Sequence, residues 1–313
     1  MIKINIFLLF SAVVLLLGYS EPSRSKLGHS LIDSISPTLP SSKKGVGFVG
    51  SETLAISGLN ISWCYNWVSK CEPKPVNVEF VPMFWVDQKK PQINDVDVEI
   101  IKNSNAKAVL GFNEPDAAGI TVEQALDLWP KLMATGKRLG SPAPTTDNVF
   151  NGSWLDKFMQ GIKARGYRVD FIALHWYGGI TRPDAVMRLK RHLEAVHDKY
   201  GLPIWLTEFG GAYPPWIADE KIPTIEQNVH FIKDVCVMLE HNSFIERYAW
   251  WGVSAGNDLY TDPVTGQKVA PKDRLIKFAD LAHSRWSLTP AGHAYSKAAL
   301  TSTLQSESEI KAH

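Results

Sequence analysis

Two glutamates stand where apolar runs break off. Val109-Leu110-Gly111-Phe112 stops at Asn113-Glu114-Pro115-Asp116, and Pro203-Ile204-Trp205-Leu206-Thr207 stops at Glu208-Phe209-Gly210-Gly211. Pro115 has no N–H for a ladder and steers its predecessor toward extended backbone, so Glu114 is expected extended, at the carboxyl end of a strand. Enzymes built on parallel strands keep their chemistry at that end. A pair of carboxyl groups can divide a bond cleavage between them. One protonates a departing oxygen while the other acts at the electrophilic carbon, as in glycoside hydrolysis.

The other expected strand ends carry Tyr65-Asn66-Trp67, Trp85, Ser141-Pro142-Ala143, His175-Trp176-Tyr177 and Trp250-Trp251. They are rich in aromatic and amide groups, and they contain no lysine or arginine. Sugars ask for that mixture, since their C–H faces lie on rings and their hydroxyls need polar partners. Phosphate or carboxylate substrates would call for cationic clamps. Each group also has a plainer reading. A strand-end glutamate is often a solvated or ion-paired group, His175 can be a hydrogen-bonded core residue, and any one of the 11 tryptophans can be core.

No cofactor or metal is expected. Gly45-Val46-Gly47 is too short for a dinucleotide fingerprint, and His175, His192, His197, His230 and His241 lack metal-ligand spacing. A formal net charge of +1 gives no electrostatic case for nucleic acid or an anionic membrane. The partner expected is a small or polymeric carbohydrate, bound by a monomer.

The elements that must position these groups alternate. Strands are expected at Gly45–Val49, Leu59–Tyr65, Glu79–Phe84, Ala108–Phe112, Arg138–Ser141, Phe171–Trp176, Ile204–Thr207 and Tyr248–Trp251. Helical patterns fall at Thr121–Leu139, Trp154–Arg165, Asp184–Tyr200 and Ile225–Glu240, with Thr121 as an N-cap. The fold class is α/β, as a single (β/α)8 TIM barrel; a doubly wound open sheet is the alternative.

Residues 1–20 have the form of a secretory signal: Lys3, an apolar core from Ile4 to Leu17, and a small-x-small site at Gly18-Tyr19-Ser20. A retained anchor is the alternative. Residues 21–44, rich in Ser and Pro and closed by Lys43-Lys44, are expected to be a flexible leader. The catalytic domain then covers 45–300, with a tail at 301–313. The protein is expected outside the cell or in the cell wall. Cys64 and Cys71 are spaced to close a small loop by a disulfide, while Cys236 lies on an apolar helix face as a free core thiol. Asn60-Ile61-Ser62 and Asn151-Gly152-Ser153 are glycosylation sequons if a eukaryote makes the chain.

Three of these stretches resemble a known family. Gly111-Phe112-Asn113-Glu114-Pro115-Asp116, Ala173-Leu174-His175-Trp176-Tyr177 and Leu206-Thr207-Glu208-Phe209-Gly210 look like blocks of glycoside hydrolase family 128. These are the proteins with an alkali-sensitive-linkage-protein-like catalytic domain. Tyr65-Asn66-Trp67 and Leu288-Thr289-Pro290-Ala291-Gly292-His293-Ala294-Tyr295 also fit, so the likeness runs from about Gly45 to Ser296. The Asn-Glu-Pro block alone is shared by a clan of retaining barrels, and its combination with the other two is far more specific.

The resemblance implies a β/α barrel with endo-type activity on β-1,3-glucan. Glu114 matches the general acid/base, Glu208 the nucleophile, and Asn113 the residue that hydrogen-bonds the sugar 2-hydroxyl. His175 and Tyr177 would support the nucleophile or line its subsite. Trp67, Trp85, Trp176, Trp250 and Trp251 would supply an aromatic floor, with Tyr65 and Asn66 beside it. The Cys64–Cys71 loop has no place in the family pattern and leaves endo versus exo preference open. The rival readings are a non-catalytic glucan-binding wall protein and a barrel hydrolase of another β-linked polysaccharide, such as mannan or xylan.

Overall fold

Short parallel strands and amphipathic helices alternate along most of the chain. The computed structural model describes residues 40–48, 56–72, 76–86, 91–145, 149–210, 223–251, 260–261, 268–269, 276–280 and 285–299. The expected signal and most of the leader lie outside these residues, as does the tail. In order the elements are β1 Lys44–Gly47, β2 Trp63–Tyr65, β3 Glu79–Phe80, α1 Asp95–Asn103, β4 Ala108–Val109, α2 Val122–Met133, β5 Arg138–Leu139 and α3 Trp154–Ala164. Then come β6 Ile172–Trp176, α4 Ala185–Tyr200, β7 Ile204–Phe209, α5 Ile225–His241 and β8 Ile245–Trp250. All eight expected strand positions carry a strand, most of them shorter than expected.

β1, β2, β3, β6, β7 and β8 form one parallel sheet in the order β3-β2-β1-β8-β7-β6, and β4 pairs with β5 in parallel. Single parallel bridges, Met83↔Leu110 and Gly140↔Phe171, join the residues just beyond β3 and β5 to the neighbouring strands. The class is α/β with a TIM-barrel-like strand order. Four short strands follow: β9 Tyr260–Thr261 pairs with β10 Lys268–Val269, and β11 Ile276–Asp280 pairs with β12 Arg285–Leu288, both antiparallel. They were not expected. α6, Pro290–Lys297, closes the described chain.

Local chemistry sets the helix boundaries. Thr121 and Thr224 each open a helix with a full capping box, their hydroxyls accepting from Gln124 and Gln227 while those side chains accept from the cap N–H. α2 stops at Met133 rather than running to Leu139, because Gly136 at φ +70° turns the chain and releases Arg138–Leu139 to pair with β4. α1 was missed. Its Asp-Val-Asp-Val opening alternates like a strand, although Asn94 caps it by accepting from the Val96 N–H.

The buried residues fall into two clusters. The larger lies between strands and helices and includes Val46, Leu174, Leu206, Phe209, Phe231, Leu239 and Trp250. The smaller gathers side chains from the other faces of the same strands: Trp63, Tyr65, Val81, Met83, Leu110, Phe171 and Trp205. Phe171 stacks on Trp205 with centroids 4.1 Å apart. A sheet whose second face packs upon itself is strongly curved.

Two lysines fasten the start of this body. The Lys44 side chain, fully buried, donates to the carbonyls of Tyr295, Ser296 and Ala298 at the end of α6, at 2.8–3.3 Å. Lys43 donates to Leu239, Glu240 and Asn242 at the end of α5. Both satisfy carbonyls that a helix end leaves orphaned. The expectation that Lys43 and Lys44 end a flexible leader is therefore corrected, since both are tied into the fold, as are Pro40 and Ser41, whose carbonyls accept from the Ser62 hydroxyl. Burial lowers the Lys44 pKa to about 8, against the opposing pull of Cys236 and Glu240. No disulfide joins Cys64 to Cys71, and both thiols are buried. Cys236 is a buried thiol on α5, as expected. Among the described residues no helix is long and apolar enough to cross a membrane.

Candidate active site

β7 carries one residue more than its neighbours can pair. Leu206 pairs with Leu174 and Glu208 with His175, so Thr207 is the extra residue. The register with β8 slips in the same span, between Leu206↔Tyr248 and Phe209↔Trp250. Strict alternation from Trp205, which belongs to the inner cluster, would turn residue 208 outward. The bulge returns Glu208 to the inner side and sends Phe209 into the outer core. Thr207 anchors it, its hydroxyl donating to the Leu174 carbonyl at 3.1 Å. A trace is visible in sequence, where the large apolar residues at 204, 206 and 209 are spaced by two and then three.

Glu114 arrives differently. The backbone bends there at φ +38°, so the expected extended geometry is corrected to the left-handed region. Its N–H donates to the Ala143 carbonyl at 2.7 Å, and its own carbonyl accepts from Ala118 at 2.8 Å. The chain thus leaves the sheet in a turn at Pro115 while the carboxylate stays over the inner face. Asp116 braces that turn by accepting from the Thr145 N–H and hydroxyl. Gly111 is required just before it: a Cβ there would lie 2.7 Å from Pro142 N and 2.9 Å from Gly140 O.

The two carboxylates meet over one imidazole. His175, on β6 and fully buried, places Nδ1 2.9 Å from Glu114 Oε1 and Nε2 3.5 Å from Glu208 Oε1. Burial works against its charge, but the Glu208 charge and the Glu114 hydrogen bond outweigh it and raise the His175 pKa. Ligand-type atoms of Glu114, His175 and Glu208 all lie within 4.8 Å of one another, a grouping that sequence spacing does not announce. Nδ1 is hydrogen-bonded to Glu114, whereas Nε2, 3.5 Å from Glu208, is buried without a hydrogen-bond partner among the described residues.

Three neutral donors converge on Glu208. Tyr65 hydroxyl donates to Oε1 at 3.1 Å, Trp67 indole N–H to the same oxygen at 3.1 Å, and Tyr177 hydroxyl to Oε2. Burial, and then the Glu208 charge, push both tyrosine pKa values well above the usual value, so both phenols remain donors. The Trp67 N–H also reaches Asn113 Oδ1 at 3.0 Å. Asn113 bridges to Ala143 in parallel, at the same level as Glu114.

Of the expected site residues, the structure brings together Glu114, Glu208, Asn113, His175, Tyr177, Tyr65 and Trp67. Trp251 is partly buried and stands edge-on to Tyr177, centroids 5.9 Å apart. Trp85 is 59% exposed beyond β3. Asn66, partly buried, keeps a buried Oδ1 with no donor among the described residues. Trp176 and Trp250 are corrections. Trp176 is 4% exposed and stacks on Phe231 of α5, and Trp250 is fully buried against Phe209 and Tyr295. Both point from their strands toward the helices, not into the mouth. The Trp67 indole bond to Glu208 was not foreseen, since no local pattern marks it.

Residues 45–295 match the family described as the glycosyl hydrolase catalytic core. The chain is 30% identical over 243 residues to Alkali-sensitive linkage protein 1 of Schizosaccharomyces pombe, a match covering 70% of this chain and 41% of that relative's length. The chain is also similar to a solved family 128 (subgroup I) endo-β-1,3-glucanase of Amycolatopsis mediterranei, a mutant in complex with laminaritriose and laminaribiose. That match has 35% identity and a TM-score of 0.68, and covers 82% of this chain and 100% of that one. A curdlan-specific exo-β-1,3-glucanase of Blastomyces gilchristii, family 128 subgroup III, is 28% identical at TM-score 0.58, covering 81% and 97%. The chain belongs to the glycosyl hydrolase catalytic core family, among the relatives of glycoside hydrolase family 128.

Proposed function

We propose that this chain is an exported, monomeric endo-β-1,3-glucanase that retains anomeric configuration, with Glu208 as nucleophile and Glu114 as acid/base. The carrying observation is the carboxyl spacing: an oxygen of each lies within 4.8 Å of the other. That fits the roughly 5–5.5 Å of retaining enzymes and falls well short of the roughly 6.5–9.5 Å of inverting ones. The eight parallel strands are read as one closed (β/α)8 barrel, a reading supported by the bridges beyond β3 and β5. Laminari-oligosaccharides bound to the Amycolatopsis relative support the substrate class. Export rests on the Lys3 and Ile4–Leu17 leader.

In this reading a Glu208 oxygen attacks the anomeric carbon while Glu114 passes its proton to the departing glycosidic oxygen. Glu114, now a carboxylate, takes a proton from water, and that water displaces Glu208. Asn113 holds the sugar 2-hydroxyl. Tyr65, Trp67 and Tyr177 fix the nucleophile without a positive charge against it. His175 ties the acid/base to the same frame. The test is proton NMR of laminarin hydrolysis within the first minutes: the β-anomer of the new reducing end is expected first, with fragments of mixed length. Early α-anomer would overturn the double displacement, and glucose as sole product would overturn the endo assignment.

A further inference from the structure

Trp67 stands out among the aromatic residues of the mouth, and its N–H distinguishes it more than its ring. Its backbone sits at φ +59°, a region that bulky side chains rarely enter. Backbone strain of this kind persists only where surroundings over-determine it, and here they do. The Val68 carbonyl accepts from the Met83 N–H at 3.0 Å, pinning the turn after β2 to the end of β3. The Trp67 ring meets Tyr65 edge-on, centroids 5.1 Å apart. The outcome is one N–H shared between Glu208 Oε1 and Asn113 Oδ1, at 3.1 and 3.0 Å.

We propose that Trp67 is a positioning residue that locks Glu208 and Asn113 into one geometry. Accepting that N–H leaves Oδ1 of Asn113 turned to the indole and its amide N–H₂ free to face a sugar oxygen, which fixes the amide orientation. The same N–H supplies a neutral donor to the anion of Glu208. One donor thereby aligns the atom that attacks carbon 1 with the group that holds the hydroxyl on carbon 2. This rests on the reading of Glu208 as nucleophile.

The test replaces Trp67 with Phe and, separately, with benzothienylalanine, which keeps the bicyclic ring and lacks the N–H. With laminaripentaose, kcat is expected to fall about tenfold or more in both, the scale on which small misplacements act, while KM changes less than about threefold. A benzothienylalanine enzyme with wild-type kcat would overturn the proposal, and a loss confined to KM would overturn it too by making Trp67 only a sugar platform. Glu208→Gln is measured alongside. If it keeps wild-type turnover, the nucleophile assignment fails whatever Trp67 does.

Discussion

The two ends of the same strands treat charge in opposite ways. At the amino ends, carboxylates are met by cations: Arg138 grips Glu246 with two bonds of 2.8 and 2.9 Å, and Arg247 binds Glu79. Arg247 also lies over Trp205, 4.4 Å from the ring centroid, and Trp205 donates to Glu246. At the carboxyl ends Glu208 is met by two phenols and an indole, and among the described residues the group beside it with a positive charge to offer is the His175 imidazole. On the proposed reading of Glu208 as nucleophile, a guanidinium there would hold it equally well but would stabilise the resting anion against attack. Neutral donors orient the carboxylate and leave most of its charge available. One end meets its carboxylates with cations, and the other, on the same reading, holds its carboxylate with neutral donors.

The largest break in this comparison comes from neutralising the mouth. Glu114→Gln and Glu208→Gln keep shape and remove charge or proton. Each is expected to lower kcat on laminarin by about 10³- to 10⁴-fold, on the scale of lost acid–base or nucleophilic catalysis. The melting temperature should move by no more than a few degrees, since a glutamine at 208 can keep its oxygen toward Tyr65 and Trp67 and turn its N–H₂ to the Tyr177 hydroxyl, which can accept. Turnover within tenfold of wild type in either variant would remove that residue from the mechanism.

The base should answer with stability instead. Lys44→Met takes a donor from three buried carbonyls, of which, among the described residues, only that of Ser296 keeps a second side-chain donor, Asn60, and a loss of about 3 kcal/mol is expected in urea unfolding, with kcat unchanged. Lys43→Met, at a half-exposed position, should cost about 1 kcal/mol. The Lys44 effect carries a pH signature. Folding lowers its pKa from an ordinary value of 10.5 to about 8, so between those values the unfolded chain binds the extra proton. Stability owed to this group therefore rises with pH across that window. The gap between wild type and Lys44→Met should widen from about pH 8 to pH 10; a gap that narrows would mean that Lys44 is more comfortable charged than its burial implies.

How much of this was legible depended on whether a feature is local. Eight strand positions, two threonine caps and the two glutamates each declare themselves within a few residues. Lys43 and Lys44 did not, because their partners lie about two hundred residues away and a lysine pair after a Ser/Pro run looks like solvated chain. Trp176 and Trp250 were misassigned for a related reason. A strand end exposes one face to the mouth and the other to the helices, and position alone does not choose between them. Alternation would have chosen for Trp176: His175 next to it faces the carboxylates, so Trp176 must face away. The bulge at Thr207 defeats the same rule on β7.

The smallest expected effect concerns the tryptophan that kept its exposure. Trp85 is 59% exposed beyond β3, and among the described residues no ring contact or hydrogen bond of its side chain holds it. An exposed ring beyond the carboxyl end of β3 is expected to meet sugars past the proposed reacting centre rather than within it. Trp85→Ala is therefore expected to leave the melting temperature and kcat unchanged while raising KM about threefold to tenfold, the scale of one aromatic contact. The increase should appear with laminarihexaose and vanish with laminaribiose, because a short substrate fills the site around Glu114 and Glu208 without reaching the rim. An equal effect on both would move Trp85 into the reacting subsite, and no effect on either would leave the rim to Trp251. Either result would redraw how far the reactive end extends beyond its carboxylates, and where the merely structural surface begins.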